Sequence, residues 1–363
     1  MDKLEVYNIK KTSKPKLTPM LSLENIKTYV LPLYQLNDGH VEYVKFKNTN
    51  KQRAVYKITL GEKEYCLKKV YYGVDKLLFI YSAIEWWSRH HIKVPYLLPS
   101  KDKKRYAIYN EMLFILTPWI HGDKCDYDNI NNLHLLFNNL SKMHKSSLDF
   151  FPMEYAKTVE DYSDIYCSLK KHWKNLFQFY DMASEIKDRF SLKYMYTFSK
   201  NNVLAQLSCN AARIIDFDKL TKSLCHGDYV NKNIIFTEEK NEISVIDFDK
   251  VSMNYVARDI SYALRRILKR ESTNWDFQLL IELIHEYNKN LSLTKDDYIY
   301  IFAYLSFPQK YWRISRDYFN NIEKCNKDTF YTLLCKATAH TENHYTFCCR
   351  FKAYLQAKFN IVF

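Results

Sequence analysis

The chain is 363 residues long, 47% hydrophobic and 26% charged, with a formal net charge of +13. That length exceeds one ordinary hydrophobic core, so one large two-lobed domain or two domains is expected, and the balance is that of a folded chain rather than a disordered one. No segment reaches the roughly 18 apolar residues of a membrane span; the densest, "KLLFIYSAIEWWSRHH", is broken by Ser82 and Glu85. The start, "MDKLEVYNIKKTSKPK", has no apolar core of the signal-peptide kind, so a cytoplasmic residence is expected. The nine cysteines form no CxxC pair and no regular spacing, which suits reduced thiols. Lysines are scattered, "KDKKR" being a short cluster, and no RNP motif, zinc finger or basic stripe occurs. No nucleic-acid partner is expected.

Residues 1–22 read as a polar tail with Pro15 and Pro19. "LENIKTYVLPLY" (23–34) is a short helix expected to stop near Pro32. "VEYVKFKN" (41–48), "RAVYKITL" (53–60) and "KEYCLKKV" (63–70) are β-rich runs parted by turn signals, a three-strand meander. A helix follows over 74–91, with Leu77, Leu78, Tyr81 and Ile84 at helical spacing. "RYAIYN" (105–110) and "LFILTPWI" (113–120) complete a small antiparallel sheet, and "GDKCDYDN" is a connector. From there helices dominate: 129–147, 160–182 and 196–213, then 259–270, 275–290, 295–306 and 328–358. One β interruption, "NIIFTEEKNEISVIDF" (233–248), reads as a hairpin. The division expected from this pattern is a tail 1–22, a sheet-bearing lobe 23–118 and a helical lobe 119–363, an α+β fold.

The chemistry gathers around that hairpin. "LCHGDYVNKNIIF" (224–236) places Asn233 five residues after Asp228, and Asp247 ends the second hairpin strand. A loop carboxylate, an amide five residues on and a second carboxylate after a hairpin suit magnesium-dependent phosphoryl transfer. Asp228 would accept the proton of an attacking hydroxyl, and Asn233 and Asp247 would hold Mg²⁺ on the phosphates of ATP. The bland alternative is that Asp228 caps a turn and Asp247 ends a strand. A cation for the phosphates is expected on the third strand, where "YCLKKV" offers Lys68 or Lys69. Strand alternation lets one of them face a cleft. Lys68, after Leu67, is the choice, with Glu85 on the next helix as its partner. "LTPWIHG" (116–122), with Thr117 and Trp119, falls where adenine contacts belong. "FKNTNKQ" carries no glycine, unlike the phosphate loop of a protein kinase.

Two near-identical heptads frame the problem. "IIDFDKL" (214–220) precedes the HGD loop and follows a helical stretch, so Asp216 and Asp218 are expected to be solvated. "VIDFDKV" (245–251) follows HGDxxxxN, so Asp247 is the expected metal ligand and Asp249 a supporting group or the ligand of a second metal.

The order of H-G-D, Asn, I-D resembles the protein-kinase arrangement, in the form used by aminoglycoside phosphotransferases and choline kinases. With "ARDISYALRRILKR" and "YIFAYLSFPQKYWRISRDYFNN" (300–321), it looks like the CotS family of spore-coat proteins over roughly residues 25–330. The resemblance implies a protein-kinase-like two-lobed fold, a mother-cell origin and association with the spore coat and its proteins. It implies supporting roles for His226, His144 and Asp259; the bland role of Asp259 is a helix N-cap. Two functions compete: an ATP-dependent small-molecule kinase and a non-catalytic coat scaffold. Aminoglycoside phosphorylation is the third. From residue 331 on there are four basic residues (Lys336, Arg350, Lys352, Lys358) against Glu342, which suits an anionic or neutral acceptor better than a polycation.

Overall fold

The computed structural model describes residues 19–47, 53–237 and 242–361. The expected tail lies mostly outside the described residues, as does most of the glycine-free segment between the first two strands. In chain order, a one-turn helix α1 (Leu23–Asn25) precedes β1 (His40–Lys47), β2 (Arg53–Leu60), β3 (Lys63–Lys69), α2 (Val74–Arg89), β4 (Ala107–Tyr109), β5 (Met112–Pro118) and β6 (Asp123–Lys124). Then come α3 (Ile130–Ser146), α4 (Ile165–Ile186), α5 (Arg189–Arg213), β7 (Lys222–Cys225), β8 (Ile234–Phe236), β9 (Ile243–Val245) and β10 (Ser252–Tyr255). The last stretch is helical: α6 (Val256–Leu268), α7 (Phe277–Asn288), α8 (Lys295–Ser306), α9 (Gln309–Phe319), α10 (Lys327–Thr338) and α11 (Thr341–Phe359).

Two compact units result. The first comprises the described residues within 19–125, 149–159 and 231–251. Its five-stranded antiparallel sheet has the order β1-β2-β3-β5-β4. Alternation in β2 turns Ala54, Tyr56 and Ile58 inward, where they join Ile26, Val30, Leu31, Leu67, Phe114 and Leu116 in one core. The segment 23–34 is helical beyond Pro32. A π-helical turn (Ile26–Val30) gives way to a 3-10 turn (Leu31–Tyr34) with Pro32 in its first positions, where a missing N–H costs little. Left-handed Gln35 (φ 60°) ends it. On α2, Leu77, Ile80, Ile84 and Trp87 are buried at helical spacing.

The hairpin β8–β9 belongs to this unit and not to the helical one, so the expected 118/119 boundary does not describe the division. The reason is pairing. β8 bonds β6 in the order β6-β8-β9, and Lys93 bridges Ser244. The short strand β6, read from sequence as plain connector, depends on Gly122. Its φ is +135°, and a Cβ there would lie 2.1 Å from the Phe236 carbonyl oxygen.

The second unit comprises residues 126–148, 160–230 and 252–361. It is helical apart from the antiparallel pair β7–β10, whose four-residue strands carry no alternation long enough to read. The helix expected at 196–213 begins a full two turns earlier, because Asp188 caps it by accepting the Ser191 N–H. The helix expected over 328–358 is two helices. α10 packs on α5 and α9 while α11 packs on α8, and one straight rod could not cover both.

Candidate active site

In the first unit, chemistry-bearing side chains converge on β3 and the hairpin. Lys68 Nζ donates to Asp247 Oδ1 at 2.6 Å and to Asp249 Oδ1 at 2.8 Å. Burial opposes the ammonium charge, but Asp249 and Asp247 outweigh it and hold Lys68 protonated well above the usual lysine range. Asp249 is 2% exposed. Its Oδ1 also accepts from the Tyr72 hydroxyl at 3.2 Å, and Oδ2 lies 3.5 Å from Arg53. Oδ2 is buried and makes no hydrogen bond among the described residues.

Asp247 and Asn233 are brought together by the backbone. Ile234 pairs with Val245, and the Ile246 N–H donates to the Asn233 carbonyl at 2.9 Å. Asp247 itself is left-handed (φ 68°), a conformation that Asp and Asn tolerate better than most side chains. Phe248 anchors the turn: it is 5% exposed and its ring lies 5.6 Å from that of Trp87 on α2. An amide oxygen and two carboxylates are hard oxygen donors, and one oxygen of that set, Asp249 Oδ2, is buried without a hydrogen bond among the described residues. That set fits Mg²⁺.

Glu85 does not join this cluster. It lies on α2 but has no ion pair or hydrogen bond among the described residues, and Lys68 is engaged by the two aspartates instead. Thr117 lies in β5 opposite Cys66. The Trp119 N–H donates to the Glu64 carbonyl at 3.0 Å, and the Lys57 ammonium stands 5.3 Å from its ring centre.

In the second unit the HGD loop is fixed from behind. The Asp259 carboxylate accepts the His226 N–H at 2.7 Å and the Gly227 N–H at 2.9 Å. Gly227 takes φ +74°, which lets consecutive amides meet one carboxylate. The Asp228 N–H then donates to His226 Nδ1 at 3.2 Å. Asp259 is therefore no N-cap: α6 begins at Val256 with Tyr255 in the cap position. His144 Nε2 stands 3.5 Å from Asp259, and its Nδ1 meets the Tyr287 hydroxyl at 2.8 Å. Burial alone would raise the Asp259 carboxyl. His144, His226 and the Gly227 amide outweigh it and hold the group below the usual carboxylate range.

A partner of Asp228 and the group behind it escaped the sequence reading. The Tyr262 hydroxyl donates to Asp228 Oδ1 at 3.2 Å, and Arg266 donates to that hydroxyl at 2.8 Å. Tyr262 follows Asp259 by three residues and Arg266 follows Tyr262 by four, so all three share one face of α6. That spacing was the available signal. Tyr72 and Arg53, by contrast, reach Asp249 from a strand end and a neighbouring strand, with no periodic cue.

Residues 45–296 match the model of the phosphotransferase enzyme family. Spore coat protein S of Bacillus subtilis (strain 168) is 18% identical over 315 residues, 85% of this chain and 88% of that protein. The aminoglycoside phosphotransferase of Alicyclobacillus acidocaldarius superposes with a TM-score of 0.75 at 16% identity, covering 95% of this chain and 99% of that one. Spectinomycin phosphotransferase, solved with ADP and spectinomycin, superposes with a TM-score of 0.63 at 15% identity, over 92% and 99% of the two chains. The fold is thus that of aminoglycoside phosphotransferases, and the chain belongs to the phosphotransferase enzyme family.

Proposed function

We propose that the protein is an ATP- and magnesium-dependent kinase that phosphorylates a hydroxyl of a small molecule. The observation that carries this reading is Lys68 held against Asp247 and Asp249, with Asn233 joined to the same hairpin five residues beyond a held Asp228. Asp228 accepts the proton of the acceptor hydroxyl as its oxygen bonds the γ-phosphorus, and the bond to ADP breaks with its electron pair. Tyr262, backed by Arg266, keeps one carboxylate oxygen of Asp228 in place. Mg²⁺ held by Asn233 and Asp247 would neutralise phosphate charge. Lys68 would leave the aspartates for the phosphates, and Thr117 and Trp119 would border the adenine.

The test is ADP release across a panel of hydroxylated metabolites. Asp228→Asn should lower turnover about 10²–10⁴-fold with the melting temperature nearly unchanged. Turnover equal to wild type would sink the assignment.

A second reading is a non-catalytic scaffold of the spore coat. It is favoured by the Lys68 ammonium closing on Asp247 and Asp249 while Glu85 stays apart, and by the relative named for the spore coat. Millimolar ATP with magnesium raises the melting temperature under the kinase reading and leaves it fixed under the scaffold reading.

A further inference from the structure

Lys68 is not alone against Asp249. Arg53 opens β2 and stands 3.5 Å from Oδ2 of the same carboxylate. Alternation in β2 turns Ala54, Tyr56 and Ile58 into the core and Arg53, Val55 and Lys57 to the other face. Residues paired across antiparallel strands share a face. Val55 pairs with Lys68 and Lys57 with Cys66, and Cys66 pairs in turn with Thr117 of β5. Arg53, Lys68, Cys66 and Thr117 therefore stand on one face of the sheet, with Arg53 and Lys68 toward the same end of adjacent strands.

An arginine committed to a carboxylate gives it two parallel N–H···O bonds. Arg53 does not bond Asp249 in that way: Oδ2 is buried and has no hydrogen bond among the described residues. The guanidinium lies 4.2 Å from the centre of the Tyr71 ring, a contact that orders its plane without using its N–H donors. The Arg53 side chain is 30% exposed against 3% for Asp249, so an incoming ligand can reach the cation and not the carboxylate behind it. Charge balances locally: Lys68 and Arg53 face Asp247 and Asp249. A divalent cation on the carboxylates would leave both side chains without counter-charge, and polyphosphate oxygens would restore it. A protein kinase covers its phosphates with a glycine-rich loop between the first two strands. Here "NTNKQ" leads into Arg53 without a glycine.

We propose that Arg53 is a phosphate-binding residue, which leaves Asp249 for the terminal phosphates of the nucleotide and does there what glycine-loop amides do in a protein kinase. The proposal rests on the kinase reading and deepens it, naming the side chain that holds nucleotide charge beside Lys68. The competing role is a structural tie on Asp249. A residue that merely steadied that carboxylate would, once removed, weaken every nucleotide and nucleoside alike.

Binding is measured by titration calorimetry of the full chain with magnesium and ATP, ADP or adenosine. Arg53→Gln, checked by circular dichroism and by its melting temperature without ligand, should weaken ATP about ten- to hundredfold. It should weaken ADP less and leave adenosine within about twofold, since surface changes away from a contact do little. Arg53→Lys keeps the charge without the planar fork and should recover part of the ATP affinity. Arg53→Gln that binds ATP as wild type does, or that loses adenosine as much as ATP, would overturn the role. The two readings fail separately. ATP binding that depends on Arg53, with no ADP release from any acceptor, sinks the kinase and keeps the phosphate contact. ADP release by Arg53→Gln at an unchanged KM for ATP keeps the kinase and sinks the contact. Wild type that binds no nucleotide overturns both.

Discussion

The heptads "IIDFDKL" and "VIDFDKV" share five of seven residues and almost nothing else. In the first, Asp216 is extended (φ −86°) and caps a three-residue turn, its carboxylate paired with Lys219 three positions along the same heptad. Phe217 is half-buried and Asp218 exposed. In the second, Asp247 is left-handed, Phe248 is buried against Trp87, and Asp249 is buried. A lysine that answers both of these aspartates is Lys68, 179 residues away from Asp247 in the chain. What the comparison teaches is that the backbone path decides the chemistry. A helix end turns the first copy's charges toward water and toward each other. A hairpin turn buries the second copy's aromatic ring and so faces both carboxylates to one side.

The largest expected break between the copies is in catalysis. Asp247→Asn keeps a side chain that tolerates the left-handed backbone while removing a metal-binding charge. ADP release should fall by about 10³-fold, since metal-borne charge stabilisation is worth several kcal/mol. Asp216→Asn should stay within about twofold of wild type, as surface changes do. Equal losses in the two variants would end the distinction.

Next in size is stability. Lys68→Met leaves Asp247 and buried Asp249 facing each other without their cation. That should cost about 3–5 kcal/mol in urea denaturation, and Asp249→Asn should recover part of it in a double-mutant cycle. Lys219→Met removes an exposed ion pair and should cost under ~1 kcal/mol. A loss at Lys219 as large as that at Lys68 would mean that the first heptad also organises its surroundings.

Chain order carried most of what the sequence revealed. The sheet strands, α2, the hairpin and α8 follow from alternation, helical spacing and turn residues, and the HGD, Asn and I-D elements from their spacing. The misses have physical reasons. β6, β7 and β10 are at most four residues long and are held by tertiary pairing rather than by pattern. The α10–α11 break lies in "TAHT", without glycine or proline; both helices meet α5, but α10 also packs on α9 and α11 on α8. Glu85 was assigned by order along the chain, yet Lys68 turns to the aspartates, whose contact is set by three-dimensional closure. Tyr262 and Arg266 were legible in the spacing of α6, had the helix been read from Val256.

The smallest effect is the most exacting test of the comparison. Lys219 holds the Asp216 carboxyl below the usual carboxylate range, helped by the Asp218 N–H. A carboxyl lowered by folding adds stability above its unfolded value of about 3.9, and the gain is lost as pH falls through the folded value. Asp216→Asn removes the charge but keeps the cap, because Asn caps as well as Asp. Wild type should therefore melt slightly above the variant at pH 7 in low salt. The gap should close as pH falls through the lowered folded value, below which both side chains are neutral. It should also close in 1 M NaCl at pH 7, where the screening length shrinks to about 3 Å. A gap that survives high salt would mean that Asp216 acts through a sheltered contact. The two heptads would then differ in degree rather than in kind.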